Sequence, residues 1–299
     1  MRLRQFVSQR VQRLTGNSSS RTAESPTRVS SFPFVSGDTF RQMAGTLFDE
    51  ANVLRRAGLD DTLFFASGAV ATRPDFVQRA REEFKKSRPE KSVLLIHNGD
   101  KIPSSKKLDS LTDLFDYVFA VNVLVESAAL RALPIGLENA SLNNNGRLEF
   151  YLRGLENRQP MDRARLVMSS FNPSTNPTVR EAAAKIFRQS RFGFDGVAWK
   201  RKEYRDALMD TCFVVSPPGN GPDCHRTWEA MYMGAVPVLL EGHLAPSLRE
   251  GMPVLEVPSY QEFVELDDDA LRETYLHLSK QFPVKGFAKH WIQEFSALS

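Results

Sequence analysis

Residues 213–239 read FVVSPPGNGPDCHRTWEAMYMGAVPVL, and this order of residue types admits few local folds. Apolar Phe213 to Val215 predict a buried strand, Pro217 to Pro222 a loop, Asp223 to about Met233 a helix, and Val236 to Leu240 a second strand. A strand–loop–helix–strand unit belongs to parallel α/β architecture, and its first loop is where such units bind anions. Gly219 and Gly221 are expected to give the loop positive φ angles and a close backbone approach. Asp223 is expected to cap the helix, and Gly234 sits where a C′ glycine belongs.

At about 100° per residue, Cys224, Thr227, Trp228, Met231 and Ala235 share one helix face, which reads as packed. His225, Arg226 and Glu229 share the other, within the first two turns. The loop residues Pro218, Gly219, Asn220 and Gly221, with Asp223, His225 and Arg226, form a candidate diphosphate site, because arginine offers a rigid fork of donors to phosphate oxygens. Glu229, one turn deeper, suits a pair of sugar hydroxyls. The plainer alternative is an exposed Arg226–Glu229 pair contributing a few tenths of a kcal/mol.

Elsewhere short apolar runs alternate with helical stretches. Strands are expected at 33–35, 63–66, 93–96, 117–121 and 132–135, with helices at 38–57, 74–86 and 107–115. A second set comprises strand 166–168, helices 177–189 and 201–210, the 213–240 unit and a strand at 253–257. Alternating β and α elements imply parallel sheets covered by helices. The pattern changes around the polar 155–162, so the expected fold class is α/β: two Rossmann-like lobes with a cleft between them. The expected division is an N-terminal segment and linker at 1–30, a first lobe at 31–158, a second at 159–265 and a helical tail at 266–299.

A composition of 41% hydrophobic and 25% charged residues is that of an ordinary soluble globular protein. The net charge of +3 is too small to imply a nucleic-acid partner. The two cysteines, Cys212 and Cys224, suggest neither a disulfide framework nor a cysteine metal site. No apolar run reaches the length of about 18 residues that a membrane-spanning helix needs, and the N-terminus lacks a signal peptide's apolar stretch. A cytoplasmic protein is the expectation, under which the sequons at Asn17 and Asn139 are chance patterns. Residues 1–15 place Leu3, Phe6, Val7, Val11 and Leu14 on one stripe among arginines. That basic amphipathic helix could touch an anionic membrane or dock on protein.

Three residues compete for a general base. Asp38 lies ahead of a helix, where it can equally cap that helix. His97 opens HNGD (97–100) at the carboxyl end of an apolar run, although Asn98-Gly99 alone reads as a turn. Glu138, in GLEN, is the third. Asn172 and Thr175 in FNPSTN, with Arg180 one turn into the next helix, make a second candidate loop for the diphosphate; ordinary loop capping is the other reading. The acidic run 267–269 lacks the spacing of a calcium loop and no other metal-binding acidic pair is evident, so no catalytic metal is expected.

SPPGNGPDCHRTWEAMYMGAVPV closely resembles the donor-binding segment of exostosin-like glycosyltransferases of the GT-B fold, including bacterial and viral members. SGDTFR (36–41), LLIHNGD (94–100), FAVNV (119–123), LPIGLEN (133–139) and FNPSTNPTVR (171–180) are similar to the family's other blocks, in the same order. The resemblance covers about residues 30–265. It implies a nucleotide diphosphate sugar bound on the C-terminal lobe, a glycan or other hydroxyl acceptor on the N-terminal lobe, inverting transfer, and a role in cell-surface polysaccharide synthesis. It also implies that the C-terminal tail crosses back onto the first lobe. A catalytically silent nucleotide-sugar or glycan-binding module, and a peripheral membrane or scaffold protein, are the competing readings.

Overall fold

The structure is a computed structural model that describes residues 28–48, 52–100, 103–140, 148–156, 163–196 and 200–298. The basic helix expected at 1–15, residues 16–27 of the expected linker, and most of the 155–162 transition lie outside the described residues.

The chain builds two sheets. The first contains β1 (Ala44–Phe48), β2 (Val53–Arg55), β3 (Asp60–Ser67), β4 (Val93–His97), β5 (Tyr117–Val121) and β6 (Leu130–Leu133), in the order β2-β1-β3-β4-β5-β6. All neighbours pair in parallel except the edge hairpin β1–β2. The second sheet is parallel throughout, in the order β10-β9-β8-β7, from β7 (Arg165–Met168), β8 (Thr211–Val215), β9 (Val236–Leu240) and β10 (Leu255–Val257). Central strands of parallel sheets are buried on both faces, and β1, β4 and β8 are buried at every position.

Register shows what covers each face. Phe64, Leu94 and Val118 lie in one row across β3, β4 and β5, and Phe65, Leu95 and Phe119 in the next, so the two rows point to opposite faces. On one face Phe64 packs against Phe84 of helix Phe76–Lys86 and against Phe115. On the other, Phe119 meets Trp291 and Phe295 of helix Ala288–Leu298, which also pack on Phe40 of helix Gly37–Met43. In the second sheet Phe213 faces Phe263 and Tyr275, from helices Tyr260–Glu265 and Asp268–Leu278. Its neighbour Val214 faces the opposite way, into a core continuous with that of the first sheet.

Helix His225–Tyr232 sits inside that shared core, with Trp228, Ala230, Met231 and Tyr232 fully buried. The Tyr232 hydroxyl donates to the Gly286 carbonyl at 2.6 Å, tying the helix to the C-terminal segment. Among the described residues no helix is long and apolar enough to cross a membrane.

Two expectations fail in the first 60 residues. The expected helix 38–57 ends at Met43, and the chain runs on as β1 and β2. Ala44–Phe48 is a short apolar run, which helix and strand can share, and pairing with buried β3 decides for strand. The expected strand at 33–35 is a single antiparallel bridge between Phe34 and Phe287, with no neighbour to extend it. Helix Leu148–Glu156 was not expected.

Candidate functional site

Neither sheet reverses its strand order among its parallel strands, so neither has an internal switch point for a ligand crevice. The crevice forms instead where the carboxyl ends of the two sheets meet. A cavity of about 390 Å³ lies there. The first sheet contributes Asp100, Asn122 and Ile135, which follow β4, β5 and β6. The second contributes Asn172, Thr175 and Arg180 after β7, and Gly219, Asn220, Gly221, Asp223, His225, Arg226 and Glu229 after β8. A smaller cavity of about 240 Å³ adjoins on the first-sheet side, bordered by His97, Asn98, Glu138 and Asn139; Asp100, Ile135 and His225 border both. Pro218 is buried and borders neither.

The glycine loop works differently from expectation. Neither Gly219 nor Gly221 has a positive φ. They are glycines because side chains press on them: a Cβ at Gly221 would lie 2.5 Å from the Asn122 amide, and one at Gly219 would lie 2.8 Å from Arg180 Nη2. The Gly219 N–H turns inward to the Gly221 carbonyl at 3.0 Å. Gly234 does take the left-handed conformation at C′, with φ 77°.

The helix begins at His225, with Cys224 as its N-cap and no side-chain cap bond. Asp223 therefore does not cap it. Its carboxylate accepts from Trp228 Nε1 at 2.9 Å and from the Ile135 N–H at 2.8 Å, joining the loop after β8 to the end of β6. Burial pushes Asp223 up to about 6, against the pull of those donors. The Asp223 N–H in turn donates to Asn122 Oδ1 at 3.2 Å.

Arg180 is committed to the scaffold. Its Nε donates to the Pro218 carbonyl, Nη1 to that of Asn172 and Nη2 to that of Pro217, at 3.0–3.2 Å. It staples the two candidate loops together, and burial, then the neighbouring Arg226, lower its pKa. Asn172 caps the short 3-10 turn Pro173–Thr175 by accepting from the Ser174 N–H.

Arg226 and Glu229 are differently placed. Glu229 is 3% exposed; its Oε2 accepts from the Tyr204 hydroxyl at 3.0 Å, and its Oε1 makes no hydrogen bond of ordinary geometry, although the buried Tyr151 hydroxyl acts on the same carboxylate. Burial raises the Glu229 pKa, opposed by His225 and Arg226. Arg226 Nε is likewise buried without a partner. So is the side-chain nitrogen of Asn122, a residue held at φ 62°. An asparagine in the left-handed region is an uncommon conformation that recurs at ligand sites.

The three candidate bases do not converge. Asp38 is 2% exposed and borders neither cavity. The cap of its helix is Ser36, whose side chain accepts from the Thr39 N–H, so Asp38 is no cap either. Asn98 donates to Asp38 Oδ1 at 3.3 Å, the Asp38 N–H donates to Asn139 Oδ1, and burial raises the carboxyl pKa, with Arg28 opposing. His97 has both ring nitrogens engaged, Nδ1 by the Asn98 N–H at 2.7 Å and Nε2 by the Pro134 carbonyl at 3.2 Å, and burial pushes it down to about 4. Glu138 borders the smaller cavity.

Sequence reasoning missed Asn122 and Tyr204 as cavity residues. Asn122 ends the FAVN strand, and a polar residue at a strand's carboxyl end is the signal that could have found it. Tyr204 carries no such signal, because only the packing of helix Arg201–Met209 brings it to Glu229.

Among the described residues no group of three or more His, Cys, Asp or Glu side chains is arranged to hold a metal ion. No family model matches the chain, and no curated protein matches it.

Proposed function

We propose that the chain is a glycosyltransferase of GT-B type, similar to the exostosin-like enzymes, that moves a sugar from a nucleotide diphosphate sugar to a hydroxyl acceptor. The observation that carries this reading is the set of buried polar atoms without partners on residues that border the larger cavity. Asn122 Nδ2 and Arg226 Nε are donors and Glu229 Oε1 is an acceptor. Buried polar groups are nearly always paired, so two unpaired donors and an unpaired acceptor on residues bordering one cavity suit a ligand rich in both kinds of oxygen. A diphosphate supplies acceptors and a ribose supplies hydroxyl donors.

The roles follow from position. Arg226, at the uncapped start of helix His225–Tyr232, meets the diphosphate and stabilises it as it leaves. Glu229, one turn deeper, accepts from sugar hydroxyls. The smaller cavity takes the acceptor. Inverting, metal-independent transfer in a cytoplasmic enzyme of cell-surface polysaccharide synthesis completes the reading.

A catalytically silent nucleotide-sugar-binding module is favoured by one observation: Asp38 faces inward to Asn98, and both His97 nitrogens are engaged. A thermal-shift screen against UDP, GDP, dTDP and CMP sugars, followed by transfer to a panel of p-nitrophenyl glycosides, tests both readings. A diphosphate-linked donor is expected to raise Tm and to release nucleoside diphosphate when acceptor is added. Binding without release would leave the silent module, and no shift with any nucleotide sugar would end both.

A further inference from the structure

Transfer has to happen where donor and acceptor sites join, so the group that takes the acceptor's proton must border both cavities. Of the residues bordering both, only Asp100 and His225 titrate. Asp100 Oδ2 accepts from Asn220 at 2.9 Å, which ties that carboxylate to the loop after β8. His225 Nδ1 lies 2.8 Å from the Gly136 carbonyl oxygen. A carbonyl only accepts, so Nδ1 carries the proton, and the neutral ring keeps its basic lone pair on Nε2. Nε2 has no hydrogen-bond partner among the described residues. The orienting carbonyl is itself fixed: Gly136 has φ 63°, and a Cβ there would lie 2.2 Å from the Val35 carbonyl oxygen.

We infer that His225 is the general base of the transfer, a role resting on the function proposed above and distinct from donor binding. In the step, the acceptor oxygen bonds to the anomeric carbon as the bond from that carbon to the diphosphate oxygen breaks. The breaking bond's electron pair leaves with the diphosphate. The hydroxyl proton passes to His225 Nε2, and the imidazolium later returns it to water or to the released diphosphate. The Nδ1–H bond to Gly136 persists in both charge states, so the ring need not move. The titratable groups acting on the ring are Asp223 and Glu229 from its own segment and His97 from the end of β4, with Arg226 next in sequence.

The test uses the full-length wild type, His225→Gln and His225→Ala, with whichever UDP, GDP or dTDP sugar raises Tm most and the p-nitrophenyl glycoside panel. His225→Gln is expected to lower kcat by about 10²–10⁴-fold with donor Kd unchanged, and to abolish the acid limb of the pH–rate profile. His225→Ala is expected to regain rate when imidazole is added. Melting curves report whether each variant is folded, and glutamine retains an amide that can donate to the Gly136 carbonyl. A wild-type rate and pH profile in either folded variant overturns the inference. So does a fall in donor affinity that matches the fall in rate without imidazole rescue, which would make His225 a donor ligand. Loss of kcat confined to Asp100→Asn, with His225→Gln turning over normally, would move the role to Asp100. Failure of the function itself is distinguishable, because it appears in the wild type as no donor binding or no transfer, and it removes the inference with it.

Discussion

Arg180 and Arg226 bring the same charge to one cavity, and their hydrogen bonds separate their roles. Arg180 donates to three backbone carbonyls that hold the loops after β7 and β8. Arg226 keeps a buried Nε with no partner. Arg226→Ala is therefore expected to weaken nucleoside diphosphate binding by about 10–100-fold, the effect of losing a charge-assisted hydrogen bond. Arg226→Lys should recover only part, because the planar fork is lost. Isothermal titration checks both, and wild-type affinity in Arg226→Ala would refute the assignment. His97 makes a separate statement about pH. Its folded-state pKa of about 4 lies below the ordinary 6.5, so between those values the unfolded chain binds more protons than the folded one. Its contribution to stability is fully present above about pH 6.5 and is lost as pH falls toward 4. Asp223 works the opposite way: raised to about 6, it favours the folded state on acidification from 6 down to its ordinary range. Denaturant unfolding at several pH values should show His97→Gln losing the first slope, with a change of about 3 kcal/mol across the window relative to wild type.

Helix His225–Tyr232 joins the site to the core, and its element-level behaviour follows from one buried pair. Trp228 Nε1 donates to the Asp223 carboxylate, which also accepts from the Ile135 N–H at the end of β6. One indole thus couples the helix to its own loop and to the other sheet. Trp228→Phe keeps most of the apolar burial and removes the donor. It is expected to cost about 1–3 kcal/mol, the penalty for leaving a buried acceptor short of a partner. The observable is a lower urea midpoint with an unchanged m-value. No change in midpoint would mean that Asp223 is satisfied without the indole.

At the scale of the whole molecule, two sheets without internal switch points place their carboxyl ends against one another, and the cavity there carries cationic and amide groups that suit the diphosphate of the proposed donor. In the proposed transfer, leaving-group charge is met by Arg226 and a helix N-terminus. Transfer is accordingly expected to proceed at an undiminished rate in excess EDTA. Activity lost in EDTA and restored by manganese or magnesium would show that another group neutralises the diphosphate.

By itself the sequence determined the parallel α/β class, most strands and the 213–240 unit, because short apolar runs between turn residues and a 3.6-residue period report local structure directly. It also grouped His225, Arg226 and Glu229, since helical periodicity puts them on one face. It misread residues 44–57, where an apolar run fits helix and strand equally and only pairing with β3 decides. It misread Gly219 and Gly221, whose reason is the approach of Asn122 and Arg180 from distant strands and helices. It offered Asp38 as a base or a helix cap, whereas Ser36 caps that helix and Asp38 is buried beside Asn98 and Asn139. The tertiary structure alone decided which polar atoms lack partners and which residues border both cavities, because these depend on contacts between segments about a hundred residues apart, such as Asn122 with Asp223 and Gly136 with His225.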